Sequence, residues 1–324
     1  MKAVVGLFFL LVPLAVLPLA TDAQEAKPHR VGVILPGGPY YAAIDGLREG
    51  LKDLGMEEGK QYVLEIRDAK GDLKVVGEAA REFEREKVPL LYAFPTSVVT
   101  AARRATTRIP IVFIVGSDPV AQGLVESFPK PGGRLTGVHY WATDITAKRL
   151  EVLKDILPKL RRVVTFYDPT NPGSQQAANS AREAGRHLHV EVAVRRVASV
   201  GELQADLRAL RAGEADALFL VPDAMVLSQA RMIIDAAKAK RLPTMVYDQQ
   251  LVAQGALASY GVHYREVGRM SAMYVQRILA GTNPKDLPVE HMDRISLAVN
   301  LGTAKALGLK IPNSILDRAD QVIQ

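Results

Sequence analysis

The sequence predicts an α/β protein built as two doubly wound lobes. Three observations carry this. Short apolar, β-branched runs alternate with amphipathic helical stretches, the signature of parallel strands joined by helical crossovers. Most of these runs end abruptly in loops of Gly, Pro, Asp, Ser and Thr. The chain of 324 residues exceeds what one ordinary core supports and suits two domains.

The run Pro110–Val115 sets the pattern. It reads as a buried parallel strand and stops at Gly116-Ser117-Asp118-Pro119. Gly lets the backbone turn close to a ligand, Ser and Asp supply polar groups, and Pro pre-sets a turn. Ligands of open α/β sheets sit beyond the carboxyl ends of the strands, so such loops are where a site is expected.

In order, Arg30–Leu35 is the first strand, ending at Pro36-Gly37-Gly38-Pro39-Tyr40-Tyr41. A helix follows to about Leu54, with Ala43, Ile44, Leu47, Leu51 and Leu54 on one face and Gly55 at the stop. Strand Tyr62–Ile66, helix Asp72 to about Lys87, and strand Val88–Phe94 ending at Pro95-Thr96-Ser97 lead through a short helix to Pro110–Val115. Leu135–Val138 is a further strand before His139-Tyr140-Trp141. A helix from Ile145 restarts the pattern. Strand Arg162–Tyr167 ends at Asp168-Pro169-Thr170-Asn171-Pro172. Helix Gly173–Leu188, strand Val190–Val197, helix Val200–Ala212 and strand Ala215–Val221 follow, the last ending at Pro222-Asp223. Helix Ser228–Arg241 precedes strand Pro243–Tyr247, which ends at Asp248-Gln249. Leu257–Tyr260 is a short strand, Val262 to about Gly281 a helix, and Leu287–Met292 and Ser296–Leu301 strands, with a last helix from Thr303 to about Leu307. Two such lobes with facing strand ends make a clamshell that can close around a small molecule.

Bulk composition narrows the function. Hydrophobic content is 48% and charged content 23%, a globular rather than disordered balance. Cys is absent, which excludes disulfides, zinc–thiolate sites and thiol nucleophiles. The net charge of +6 is spread over scattered Arg pairs with no basic run interleaved with aromatics, so nucleic acid is not an expected partner. Residues 1–23 read as a signal peptide: Lys2, an apolar stretch Ala3–Ala20 broken by Pro13 and Pro18, then Thr21-Asp22-Ala23 before the cleavage point. The alternative, an uncleaved anchor, would need a longer uninterrupted span. The expected location is the periplasm.

Enzyme signatures are missing. No G-x-G-x-x-G follows the first strand, Gly37-Gly38 lacks the Lys-Ser/Thr of a phosphate loop, and neither H-E-x-x-H nor G-x-S-x-G occurs. Ser117-Asp118 has no His placed by sequence to complete a triad. His187 and His189 lack evident partners for a metal. No enzyme activity, metal or cofactor is expected.

The chain resembles the tryptophan/tyrosine-type family of ABC-transporter substrate-binding proteins. The run Ala298–Pro312 followed by Asp317–Ile323 carries the likeness, with Gly116–Val120, Lys130–Gly133, Lys148–Lys154, Asp168–Pro172, Ala215–Leu218, Tyr260-Gly261 and Asp286–Glu290 in the same order. The resemblance implies a type I periplasmic-binding-protein fold of two Rossmann-like lobes and a multi-strand hinge crossed near 138–144, 260–262 and 292–295. Residues 24–140 plus 262–292 would form lobe one, and residues 141–261 plus 293–324 lobe two. It implies capture of a small molecule, such as an amino acid or related compound, by a monomer that hands it to a membrane permease. The alternative is a sensor reporting to a membrane receptor on the same fold. Phe94-Pro95 departs from the small residues of many relatives after the third strand, which puts ligand identity in question.

In this architecture a ligand carboxylate would meet hydroxyls and helix-start N–H groups of lobe one. Thr96, Ser97 and Ser117 fit, with Gly37 and Gly38 closing over and Tyr40 as a wall; Asp118 and Asn171, each in a strand-end loop, are further candidate ligand contacts. Tyr41, Tyr140, Trp141 and Tyr247 are further candidate walls. A ligand ammonium would meet Asp223 and Asp248 of the second lobe; the two Asp residues are equally suited to cap helices.

Overall fold

The computed structural model describes residues 27–211 and 213–324; the expected signal peptide lies outside them. The first half runs β1 (His29–Leu35), α1 (Tyr41–Asp53), β2 (Tyr62–Asp68), α2 (Leu73–Arg85), β3 (Leu90–Ala93), α3 (Thr96–Ala105), β4 (Ile111–Val115) and β5 (Leu135–His139). The second repeats the alternation: α4 (Ala142–Ile156), β6 (Arg162–Tyr167), α5 (Pro172–Leu188), β7 (Glu191–Arg196), α6 (Val200–Ala209), β8 (Ala217–Phe219), α7 (Ala224–Ser228), α8 (Ala230–Ala239), β9 (Thr244–Val246), α9 (Gln250–Ala253) and β10 (Ala258–Val262). Then come α10 (Tyr264–Leu279), β11 (Glu290–His291), β12 (Ile295–Asn300), α11 (Leu301–Ala306), α12 (Asn313–Leu316) and β13 (Gln321–Ile323).

Two mostly parallel sheets result, ordered β2-β1-β3-β4-β5-β11 and β7-β6-β8-β9-β10-β12-β13. Five strands of each follow the same winding, so each sheet reverses direction at one point: between β1 and β3, and between β6 and β8. At such a switch point neighbouring connections leave on opposite faces and open a crevice. The sheets are not wholly parallel. β12 runs antiparallel to β10, with Ala258 opposite Val299 and Val262 opposite Ile295. The chain passes between sheets three times, after β5, between β10 and α10, and between β11 and β12.

Burial explains the elements. β3 and β4 are buried throughout, as strands covered by helices on both faces must be. α1 turns Ala43, Ile44, Leu47 and Leu51 inward, the stripe its periodicity predicts, and packs on α10. That packing is close: a Cβ on Gly46 would lie 1.8 Å from the Arg265 carbonyl oxygen, and one on Gly268 2.0 Å from that of Ala43. Only glycine permits this backbone contact, which ties α10 to the first sheet although it follows β10 of the second.

Two expected elements differ. The strand expected over Leu287–Met292 shortens to Glu290–His291, because the Thr136 hydroxyl donates to the Leu287 carbonyl and the Tyr274 hydroxyl to that of Pro288, each at 2.7 Å. Side chains replace the ladder there. The helix expected over Ser228–Arg241 starts earlier, at Ala224 behind an Asp223 cap, and breaks at Gln229 into α7 and α8.

Candidate functional site

Loops at the two switch points face each other across a small, partly open cavity of about 50 Å³. Its first wall is Tyr40 after β1, Pro95-Thr96-Ser97 after β3, and Gly116-Ser117 after β4; its second is Asn171, Gly173 and Ser174 after β6, and Pro222-Asp223-Ala224 after β8. Tyr140 and Ala142, flanking the first crossing, complete it.

The first wall is a helix start. Pro95 precedes α3 and offers no side-chain cap, so the first-turn N–H groups of α3 lack an intrahelical acceptor. Thr96 Oγ1 accepts from the Gly116 N–H and shares a hydrogen bond with Ser117 Oγ, both at 3.2 Å. Ser97 Oγ is buried with no partner. A buried hydroxyl without a partner costs roughly 1–3 kcal/mol, and here it lies against the cavity.

The second wall is acidic. Asp223 is 2% exposed. Its Oδ1 accepts from the Val226 N–H and its Oδ2 from the Asp168 N–H, each at 2.9 Å. Burial raises its pKa, and these N–H donors oppose the rise. Asn171 caps α5, its Oδ1 accepting from the Ser174 N–H at 3.4 Å, and Ser174 Oγ donates to the Pro222 carbonyl at 2.8 Å. Among the described residues, no Lys or Arg lines the cavity.

Of the residues singled out from sequence, Tyr40, Thr96, Ser97, Ser117, Asn171 and Asp223 meet at this cavity, with Tyr140 among the suggested walls. Others stand apart. Asp118 turns away, its Oδ1 accepting from the N–H groups of Val120 and Ala121. Gly37 is packed on Asp68: a Cβ there would lie 2.8 Å from its Oδ1. Gly38 meets the other lobe, where a Cβ would lie 3.2 Å from the Leu227 carbonyl oxygen of α7. Asp248 is 1% exposed but behind the wall, accepting from the Gln250 N–H at 2.8 Å; burial raises its pKa to about 7. Trp141 and Tyr41 are exposed, Tyr41 donating to Asp68 at 3.2 Å.

Behind the cavity lies a polar core in which Tyr40 and Tyr140, expected as walls, are joined by Tyr264 and Arg149, which the sequence pattern did not single out. Tyr140 and Tyr264 join hydroxyls at 3.1 Å, and Tyr40 packs edge-on against Tyr264 with ring centroids 4.9 Å apart. Beneath them Arg149 is 1% exposed. Its Nε donates to the Tyr260 carbonyl at 2.7 Å and its Nη1 to that of Leu220 at 3.2 Å. The signal was present: Arg149 interrupts the apolar stripe of Ile145, Val152, Leu153 and Ile156 on α4. Among the described residues, no cluster of three or more potential metal-ligating side chains occurs, and no helix is long and apolar enough to cross a membrane.

Two lobes of like winding, a three-fold crossing between them and a cavity between the two switch points, mainly apolar with a few polar groups, define a ligand-binding clamshell. The family model for ABC transporter substrate binding proteins matches residues 30–323, and the chain belongs to that family, whose members bind ligands and are not enzymes. It is 27% identical over 291 residues to a tyrosine-binding protein of Clostridioides difficile, covering 90% of this chain and 83% of that one. Among solved structures it is similar to an ABC domain from Streptococcus pneumonia in complex with L-Trp, at 22% identity and a TM-score of 0.80 over 92% of this chain and all of the other. It is also similar to the ligand-free, open structure of a substrate-binding protein with adhesive properties from Clostridium difficile, at 26% identity and a TM-score of 0.62, again over 92% and 100% of the chains.

Proposed function

We propose that this chain captures a zwitterionic amino acid in the inter-lobe cavity and delivers it to the membrane permease of an importer, working in the periplasm after removal of residues 1–23. One observation carries the ligand class: the partnerless Ser97 hydroxyl at the uncapped start of α3 lies across the cavity from the buried Asp223 carboxylate. An α-carboxylate suits the first, where N–H groups and a hydroxyl converge. An α-ammonium suits the second, where a carboxylate remains as acceptor. Tyr40, Pro95, Tyr140 and Pro222 offer the side chain an apolar, partly aromatic surround. The tyrosine-binding relative and the L-Trp complex support the same class.

The moving bodies in this reading are residues 27–140 plus 262–292 and residues 141–261 plus 293–324. A closed arrangement is supported by contacts across the mouth, where Gly38 meets Leu227 and Gly71 meets Met225, and by the lower TM-score to the open relative. The test is mass spectrometry of small molecules released on denaturing the purified protein, followed by calorimetric titration with L-tyrosine and L-tryptophan. Release of an α-amino acid that binds again on titration supports the reading. Release of a ligand lacking either a carboxylate or an amine overturns it.

A further inference from the structure

Arg149 is the least explained charge in the molecule. It is buried beside the carboxyl ends of β8 and β9, and burial lowers its pKa to about 10, so it stays cationic at neutral pH. Among the described residues no carboxylate pairs with it; the groups that act on it electrostatically are the hydroxyls of Tyr247, Tyr264, Tyr140 and Tyr260. An unpaired buried guanidinium is costly unless its bonds do something an apolar side chain could not.

Of its four contacts, one is the core ring of Phe219, 5.9 Å away; the other three lead to three functional places. Nε holds the Tyr260 carbonyl in β10, two residues before that strand ends at the second crossing between lobes. Nη1 holds the Leu220 carbonyl, two residues before Pro222 and Asp223 of the cavity wall. The guanidinium also lies 5.3 Å over the ring of Tyr247. Tyr247 is 3% exposed; its hydroxyl lies beside that of Tyr40 from the first lobe but makes no hydrogen bond of ordinary geometry. Tyr40 in turn lines the cavity. A contiguous path thus runs from hinge strand to guanidinium to Tyr247 to Tyr40, and its last link joins the two lobes.

We infer that Arg149 is a positioning residue for closure. It braces the carbonyl ends beyond β8 and within β10 and props Tyr247, so that the second lobe presents a preformed surface to Tyr40 when the cleft shuts. This rests on the reading of the cleft as one that closes on a ligand. A Lys at this position keeps the charge but cannot bridge two carbonyls and stack on a ring together. Removing Tyr247 breaks the same path one step further on.

The variants are Arg149→Lys, Tyr247→Ala and the pair. The chain has no Cys, so Glu78→Cys on α2 and Ala205→Cys on α6, both exposed, take spin labels on opposite lobes. Pulsed dipolar spectroscopy then reads the interlobe distance without ligand and with L-tyrosine at 1 mM; the ligand-free distribution scores the balance of open and closed forms whether or not this amino acid binds. Both single variants are expected to shift the population toward longer distances and, where L-tyrosine binds, to weaken it by about tenfold. The double variant is expected to cost no more than the worse single, since the two residues act as one unit. A merely structural Arg149 would lower the melting temperature while leaving the distance distribution unchanged. That outcome, or additive losses in the double variant, overturns the inference. Failure of L-tyrosine to bind the unmodified protein counts against the proposed ligand, not against the brace, which the distances report separately.

Discussion

Replacing Asp223 by Asn separates ligand contact from scaffolding, and the structure gives the size of each. Both carboxylate oxygens accept backbone N–H groups, from Val226 and Asp168. An Asn side chain has one acceptor oxygen, so its amide NH₂ must face one of those N–H groups. One buried hydrogen bond is lost, costing roughly 1–3 kcal/mol. Removing a carboxylate whose pKa burial has raised offsets part of that. At about 2–4 °C per kcal/mol for a chain this long, the melting temperature should fall by roughly 2–10 °C. Affinity should fall further. A charge-assisted hydrogen bond to a ligand ammonium contributes about 1.5–3 kcal/mol, or roughly 10- to 150-fold in Kd. Asp248→Asn is the control, because Asp248 is equally buried and also accepts a helix-start N–H but does not line the cavity. It should leave Kd within about threefold. The assay is calorimetric titration of both variants with the amino acid recovered from the wild type, beside melting curves without ligand. The reasoning fails if folded Asp223→Asn binds like wild type, or if Asp248→Asn loses as much.

Two further outcomes follow from single atoms. Ser97→Ala removes a buried hydroxyl that has no hydrogen-bond partner within the protein, so it should hold or raise the melting temperature while weakening amino-acid binding by about fivefold or more; loss of stability with unchanged Kd would contradict the assigned role. Asp248 has a folded-state pKa of about 7 against an ordinary 3.8, so folding favours its protonated form. Stability from this group is complete below the unfolded value and is lost as pH rises from about 4 to about 7. The wild-type melting temperature should therefore fall between pH 5 and pH 8 more than that of Asp248→Asn, and parallel curves would show that Asp248 is not the group responsible.

Local pattern carried much of this molecule. β-branched runs alternating with amphipathic helices predict two α/β lobes because strands covered on both faces must be apolar along their whole length, as β3 and β4 are. Strand-end loops predict where a ligand goes because backbone turns there are polar and exposed to the crevice, and Thr96, Ser97, Ser117, Asn171 and Asp223 all meet at one cavity. What pattern could not decide is which strand-end loops face one another. Asp223 and Asp248 read alike, each an Asp after a buried strand. Strand order separates them: β6 and β8 flank the switch point, so the loop bearing Asp223 opens into the crevice, while β9 lies one strand further along and leaves Asp248 behind the wall. The antiparallel β12 and the glycine-mediated return of α10 to the first sheet are likewise products of long-range packing. So is the environment of Arg149, a charged residue on an apolar helix stripe whose purpose appears only when Tyr260, Leu220 and Tyr247, 71 to 111 residues away for the two carbonyls, converge on it. Periodicity reports which face of an element is buried; only the folded chain determines what that face is buried against.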